Sequence, residues 1–415
     1  MGSVSSSPER RNRALRILGG LISALLLFIG ASWIWLRLVE GRKWTEMERR
    51  VAELSAEALP ANPDRRPLAG EPVPGDAWRD YEEALDPLSI DTQQGYWRDL
   101  VKKVDDYVRT RDETLKAEAL TILKDFSSAM EALRRGARRA SARGPLPSVD
   151  STAVSLLSDM LRNQACVVAA ATPDEATDLL LDLLQFGVDL DSAGISGGRD
   201  ACTQAVNGLS KILTTIPPVR RAEVERALHR VEKSLSPARK YRCEMRYIGR
   251  ELLQKPLKAT VFSVFVGTSR EAAKSDWKYG FSSRHVAADL FAWLDRWMSQ
   301  VVAWEDLPYA EAKARADDQE KEIKACPNRM AATVGGWGLL ETSWKWNSRD
   351  LAARIHILRT ACGAEGLKDP YGDFIKSVRR GDELRIWSVG PDGKDDGGQG
   401  GWSPGSSDIV LEVRR

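Results

Sequence analysis

The stretch Thr172–Leu184 reads TPDEATDLLLDLL and predicts both the start and the buried face of a helix. Thr172 suits the N-cap, Pro173 suits the first helical position, and Glu175 completes a capping box. The apolar residues that follow recur at helical spacing and should form a core stripe: Ala176, Leu179, Leu180, Leu183 and Leu184. Another helical pattern, at 151–170, precedes this one by a very short turn, so we expect the two helices to lie antiparallel.

The same periodicity continues on both sides of this pair. The chain is therefore predicted to be mainly α, with an antiparallel helical-hairpin array over residues 76–363. The remaining predicted helices are 77–85, 94–111, 113–140, 201–213, 218–235, 238–253, 283–304, 309–324 and 348–362. The array is similar to a tetratricopeptide-type stack, but the sequence contains no fixed repeat of about 34 residues. Residues 260–267 (TVFSVFVG) fit either one strand or a buried helical turn.

Composition excludes several classes of function. The chain has 415 residues with 61 basic and 59 acidic side chains, a net charge of +2 that argues against a dedicated nucleic-acid binder. Gly335–Gly338 lacks the spacing of a phosphate loop, so no nucleotide site is predicted. The five cysteines allow at most two disulfides, and the absence of a Cys-x-x-Cys pair gives zinc and thioredoxin-type chemistry no support.

Ile17–Leu36 (ILGGLISALLLFIGASWIWL) is twenty residues without a charge, and it predicts an N-terminal transmembrane helix. At helical rise such a segment spans about 30 Å, the thickness of the hydrocarbon core of a bilayer. Trp33 and Trp35 suit the headgroup level, and the arginines before the segment favour a cytoplasmic tail at 1–16. A cleaved signal peptide and a buried core helix are the alternatives. Residues 37–75 follow as a juxtamembrane helix and a proline-rich linker.

Charge clusters and histidines in the helical region give weak functional signals. Arg134, Arg135, Arg138 and Arg139 could bind phosphate groups, but cations at a helix C-terminus also interact favourably with the helix dipole. The histidines, His229, His285 and His356, are far apart in sequence, and no Gly-x-Ser-x-Gly elbow is present. The sequence therefore predicts no catalytic residue, and an envelope hydrolase stays an alternative hypothesis.

The composition shifts near residue 364, where glycine and aspartate become frequent and strand patterns begin. Strands at 374–379, 383–389 and 408–413 predict a small antiparallel β unit over 364–415. Between the last two strands lies a glycine-rich loop with Asp392, Asp395 and Asp396, and Asp408 opens the final strand. Ca²⁺ prefers such hard oxygen ligands, so we interpret these four residues, with the Ser388 carbonyl, as a candidate calcium site. An acidic, solvated hairpin loop is the alternative.

The tail also carries a resemblance. Asp369-Pro370-Tyr371-Gly372, then LRIWSVGPDG at 384–393, the acidic loop and Asp408-Ile409 resemble the C-terminal segment of the major pseudopilin of type II secretion systems. The resemblance covers about the last fifty residues and implies a loop that binds a structural Ca²⁺. Asp392 matches the aspartate of that family's Ala-Asp-Gly motif, and Asp408 matches that of its Asp-Ile pair. Asp395 and Asp396 have no strict counterpart.

The N-terminus departs from that family. Leu21 follows Gly20, and Leu25 stands where a pseudopilin has glutamate. The whole chain resembles uncharacterised membrane-anchored bacterial envelope proteins. The resulting hypothesis is a non-enzymatic scaffold or partner-binding protein, single-pass in the bacterial inner membrane with its bulk in the periplasm. A calcium-stabilised tail and an envelope protein partner complete the hypothesis.

Overall fold

A computed structural model provides the structure of the chain. The described residues are 8–56, 65–88, 94–142, 151–193, 195, 197–235, 237–254, 283–304, 307–325, 343–402 and 407–414. The chain forms two compact units, one of Met1–Glu53 with Ile248–Trp293 and the other of Leu54–Tyr247 with Leu294–Arg415.

Helices dominate the described residues, which confirms the mainly α prediction. The helices are α1 (Pro8–Ala56), α2 (Ala77–Leu85), a short 3₁₀ turn (Asp86–Leu88), α3 (Gln94–Thr110), α4 (Glu113–Asp125), α5 (Ser127–Ala137), α6 (Ser151–Val168), α7 (Pro173–Ser192), α8 (Gly198–Ile212), α9 (Pro218–Ser234), α10 (Pro237–Gln254), α11 (Ser283–Ala303), α12 (Tyr309–Ala325) and α13 (Ser343–Ala361). The strands are β1 (Val73–Asp76), β2 (Arg139–Ser141), β3 (Lys376–Arg380), β4 (Glu383–Ser388) and β5 (Ile409–Arg414).

In the first unit, α1 packs against parts of α10 and α11 at a glycine. A Cβ atom on Gly249 would lie 2.3 Å from Val51 Cγ2 and 2.9 Å from Phe291 Cε2, so only glycine allows this approach. Lys43 Nζ also forms an ion pair with Asp289 Oδ1 at 2.7 Å. Among the residues that the structure describes, no helix has the length and apolar composition needed to cross a membrane.

Helix α7 forms the core of the second unit. The predicted stripe is confirmed, because its five residues are at most 3% exposed: Ala176, Leu179, Leu180, Leu183 and Leu184. The helix is buried beyond that stripe, since Leu181, Phe186 and Leu190 are also inaccessible. Gly187 approaches Cys202 of α8 and Leu180 approaches Gly208, so α7 and α8 are antiparallel.

The C-terminal sheet is confirmed as three antiparallel strands in the order β3-β4-β5. Its buried face belongs to the same hydrophobic core as the helices of the second unit. Ile386, Ile409 and Leu411 join Leu351 and Ile355 of α13 in that core. The tail is therefore packed onto the helical body.

The predicted helix over 113–140 is wrong in two places. The chain bends at Phe126, which ends α4 and starts α5 with ψ near zero (−2°). Phe126 is buried and its ring packs edge-on against Trp97 at 5.2 Å between centroids. Residues Arg139–Ser141 then pair in parallel with Val73–Asp76, part of the predicted linker, so tertiary pairing overrides the helical pattern.

The N-terminal signals of two helices behave differently. Asp76 caps α2, because its carboxylate accepts from the Trp78 N–H at 3.0 Å. Thr172 stands at the predicted N-cap of α7, but its hydroxyl oxygen accepts no capping hydrogen bond from a backbone N–H, and the hydroxyl donates instead to Glu175 Oε2 at 3.1 Å. The predictions for 260–267 and 335–338 lie outside the described residues.

Candidate functional site

The end of β4 is held by a buried carboxylate that the sequence did not single out as functional. Asp369 is 2% exposed, and its Oδ1 accepts from the Ser388 hydroxyl at 2.7 Å and the Tyr371 N–H at 2.9 Å. Its Oδ2 accepts from the Val389 N–H at 2.9 Å. The Asp-Pro-Tyr-Gly turn is thereby fixed to the strand end from which the acidic loop departs.

Asp408 is the central carboxylate of the candidate site. It is fully buried, and its Oδ2 accepts from the Gly398 N–H at 2.8 Å. Its Oδ1 accepts no hydrogen bond of normal geometry from the described residues. Burial raises the pKa of Asp408, the Asp395 and Asp396 charges add to this, and the Gly398 and Asp396 N–H groups oppose it. A buried oxygen without a donor is a costly arrangement that a cation would relieve.

Asp395 lies close enough to act on Asp408 but is already engaged. Its carboxylate contacts the Lys376 ammonium and accepts from Trp387 Nε1 at 3.0 Å. These hydrogen bonds, with one from the Gly397 N–H, lower the pKa of Asp395 to about 2. The Lys376 ammonium therefore places a positive charge beside the Asp395 carboxylate, which a bound cation would otherwise neutralise.

Asp392 is held apart from this group. Its Oδ1 accepts from the Lys394 N–H at 3.0 Å, which closes a local turn in the exposed loop. The preceding Pro391 carbonyl accepts from the hydroxyl of Tyr309, at the start of α12. The structure therefore brings Asp395, Asp396 and Asp408 within electrostatic reach of one another and directs Asp392 toward α12.

The arrangement fits a cation in part. Asp408 Oδ1 is the hard, unpaired oxygen that Ca²⁺ prefers. Ser388 pairs with Ile409, next to Asp408, in the β4–β5 register. Within the described part of the chain, however, no group of three or more His, Cys, Asp or Glu side chains has a metal-binding arrangement. The loop can thus hold a metal only with carbonyl or water ligands added to its carboxylates.

The loop is also fastened to the helical body. Trp402 Nε1 donates to Asn207 Oδ1 of α8 at 2.7 Å. The guanidinium of Arg354, a residue of α13 that is 1% exposed, lies over the Trp402 ring at 4.9 Å and donates to the Trp402 carbonyl. Any ligand that orders the loop is therefore coupled to α8 and α13.

A second polar group, which sequence reasoning missed, lies where the tail leaves α13. His356 Nε2 is 2.8 Å from Glu232 Oε1, and its Nδ1 is 2.6 Å from the Lys368 carbonyl. Each ring nitrogen therefore lies within hydrogen-bonding distance of a fixed oxygen acceptor. The hydrogen bond from His356, supported by the Arg359 charge against burial, lowers the pKa of Glu232 to about 2. The histidines' wide sequence spacing gave no signal of this cluster.

The arginines that end α5 serve internal ion pairs. Arg138 contacts buried Asp182 of α7 at 3.1 Å, and Arg139 contacts Asp80 of α2 at 2.6 Å. Arg134 and Arg135 reach the same two carboxylates. The cluster therefore joins α5 to α2 and α7.

No family model, curated protein or solved structure matches the chain.

Proposed function

We propose that the protein is a membrane-anchored scaffold of the bacterial cell envelope whose C-terminal tail is stabilised by calcium. The proposal of a calcium site depends on the buried Asp408 Oδ1, which accepts no hydrogen bond of normal geometry from the described residues. The charges of two further carboxylates, Asp395 and Asp396, act on Asp408. Asp395, Asp396 and Asp408 would supply carboxylate oxygens. Ser388 and Asp392 are the other calcium ligands that the loop sequence and the pseudopilin resemblance predict.

The proposed anchor is the segment 17–36 within α1. Six large apolar side chains on and just beyond it are between 53% and 75% exposed: Leu27, Phe28, Ile29, Ile34, Trp35 and Leu38. Apolar surface of this extent favours a membrane or protein partner over water. In this proposal the N-terminus is cytoplasmic, the bulk is periplasmic, and the helical body with its docked tail binds an envelope protein, with a link to secretion.

The anchor is tested by alkaline carbonate extraction of membranes from cells expressing the chain. We expect the full chain to stay in the membrane pellet, and a version lacking residues 1–43 to be released. Extraction of the full chain into the supernatant would contradict the anchor and leave the calcium proposal standing.

The hydrolase alternative receives little support from His356. Each of its ring nitrogens is already in contact with a fixed oxygen of the protein, at Glu232 and at the Lys368 carbonyl, and no nucleophile among the described residues forms a hydrogen bond with the ring. The scaffold function is therefore the one that we favour.

Asp408→Asn should separate the destabilisation that this buried carboxylate causes without metal from the stabilisation that it provides by binding calcium. Burial raises the pKa of Asp408 above its ordinary value of 3.8. Without metal, its contribution to the free energy of unfolding is therefore most favourable below pH 3.8 and is lost as the pH rises. At neutral pH without calcium, Asp408→Asn should therefore unfold at the same temperature as the wild type or a higher one. With calcium at a hundredfold excess over its Kd, the wild type should gain about 2.7 kcal/mol and the variant nothing.

The measurement is thermal unfolding between about pH 4 and pH 7, with and without calcium. Asp382→Asn is the matched control, since that aspartate lies in the β3–β4 turn outside the proposed ligands. A calcium response that survives in Asp408→Asn would contradict the proposed site.

A further inference from the structure

A cavity of about 460 Å³ lies in the second unit, between the ends of several helices and the start of the tail. Its volume is within the range of about 300–1,000 Å³ that is common for small-molecule sites. The walls come from α9, α11, α12 and α13, and residues of the Asp-Pro-Tyr-Gly turn close one side. None of the residues proposed to bind calcium lines it.

Most of the wall is apolar. The apolar side chains include Val301 of α11, Trp304 directly after that helix, Ala312 of α12, and Leu351 and Ile355 of α13. Val301, Ala312, Leu351 and Ile355 are at most 7% exposed, so the surface is built from core residues. Such a wall suits a hydrocarbon chain or another apolar body.

The polar part of the wall carries more positive than negative charge. Three lining residues are cationic, Arg199, Arg349 and Lys368, and His356 lies beside them. The two carboxylates, Glu232 and Asp369, are both occupied by internal donors. Glu232 is held by His356 and Arg359, and Asp369 by the hydrogen bonds that fix the tail. Arg199 is likewise paired with Asp191, and Arg349 donates to the Pro370 carbonyl, so the exposed Lys368 is the cation that an anionic head group would meet.

We propose that this cavity binds a single-chain amphiphile with one anionic head group, a carboxylate or a phosphate. The apolar body lies against α11, α12 and α13, and the head group lies toward His356 and Lys368. This inference does not depend on the calcium site. The proposed amphiphile would be a ligand of the scaffold. Because Lys368 and Asp369 belong to both the cavity wall and the base of the tail, binding of this ligand should stabilise the docked tail.

The test uses the full chain in lipid nanodiscs and a dodecanoate with a photoreactive diazirine near its methyl end. Mass spectrometry maps the labelled peptides. We expect labelling within 301–325 and 348–358, competed by both dodecanoate and dodecyl phosphate but not by dodecyltrimethylammonium. The relative strength of the two anionic competitors separates a carboxylate from a phosphate ligand.

Two variants and one control make the test specific. Ala312→Trp fills the cavity and should reduce labelling about tenfold, the effect of losing roughly 1.4 kcal/mol of binding energy. Ala310→Trp is the matched control because Ala310 is exposed on the same helix and should label as the wild type does. Lys368→Glu leaves the fold intact, since Lys368 is exposed, and should weaken competition by both anions. Labelling unchanged by Ala312→Trp in a folded variant, or equal competition by the cationic amphiphile, would overturn the proposal.

Discussion

Asp189→Ala should lower the free energy of unfolding of the second unit by about 3–5 kcal/mol. Asp189 lies in α7 and forms an ion pair with Arg65 at 2.6 Å, with side chains 6% and 2% exposed. Tyr81 and Gln185 also donate to it, at 2.7 and 2.9 Å. Removing the carboxylate leaves the Arg65 charge buried with uncharged partners, the Gly136 and Ala137 carbonyls and the Tyr81 hydroxyl.

The pKa of Arg65 supports this expectation. Burial acts to lower that pKa, but the charge and hydrogen bonds of Asp189 outweigh burial and raise it. An Arg65→Met, Asp189→Leu double variant should recover much of the loss, because neither buried charge remains.

Chemical denaturation followed by circular dichroism measures these changes. The control is Glu118→Gln, which removes the exposed pair with Lys103 and should leave the unfolding midpoint close to that of the wild type. If Asp189→Ala cost no more than this control, the account of a buried, mutually dependent network would be wrong.

Gly187→Ala should cost about 3 kcal/mol although alanine is the better helix former. Its Cβ would lie 2.6 Å from Cys202 Sγ, 2.7 Å from the Gly198 carbonyl oxygen and 2.8 Å from the Cys202 nitrogen. Two of these three atoms belong to the backbone of α8, so α7 and α8 must move apart to admit the methyl group. The movement would disturb a core to which both helices contribute buried residues.

Gly95→Ala is the matched control for this prediction. Gly95 is also helical, but a Cβ there meets nothing within 4 Å. The change should be neutral or stabilise by up to about 1 kcal/mol through helix propensity alone. Comparable unfolding midpoints for Gly187→Ala and Gly95→Ala would show that the helices are not in the tight contact described.

Local patterns in the sequence predicted most of the helices and strands. The stripe from Ala176 to Leu184 identified α7, and the strand patterns at 374–379 and 383–389 identified the β3–β4 hairpin. Phe126 and Arg139 were mispredicted because contacts from distant residues, Trp97 and Val73, decide their conformation. Helical periodicity contains no information about such contacts.

The candidate site was predictable as a set of carboxylates but not as a geometry. Asp408 and Asp395 belong to the predicted loop, yet nothing local shows that one is buried with an unpaired oxygen while the other is engaged by Lys376. Asp369 belonged to a recognised motif, but its part in fixing Ser388 and Val389 depends on pairing across the fold. The link between His356 and Glu232 joins residues more than a hundred positions apart, so sequence spacing could not predict it.

Calcium titration calorimetry on the full chain, alongside Asp408→Asn, tests the central claim most directly. We predict saturable binding of one calcium ion per chain in the wild type, weaker binding as pH falls because protons compete for Asp408, and no binding in the variant. Absence of binding in the wild type, or equal binding in Asp408→Asn, would contradict the calcium-stabilised tail and reduce the loop to an acidic hairpin.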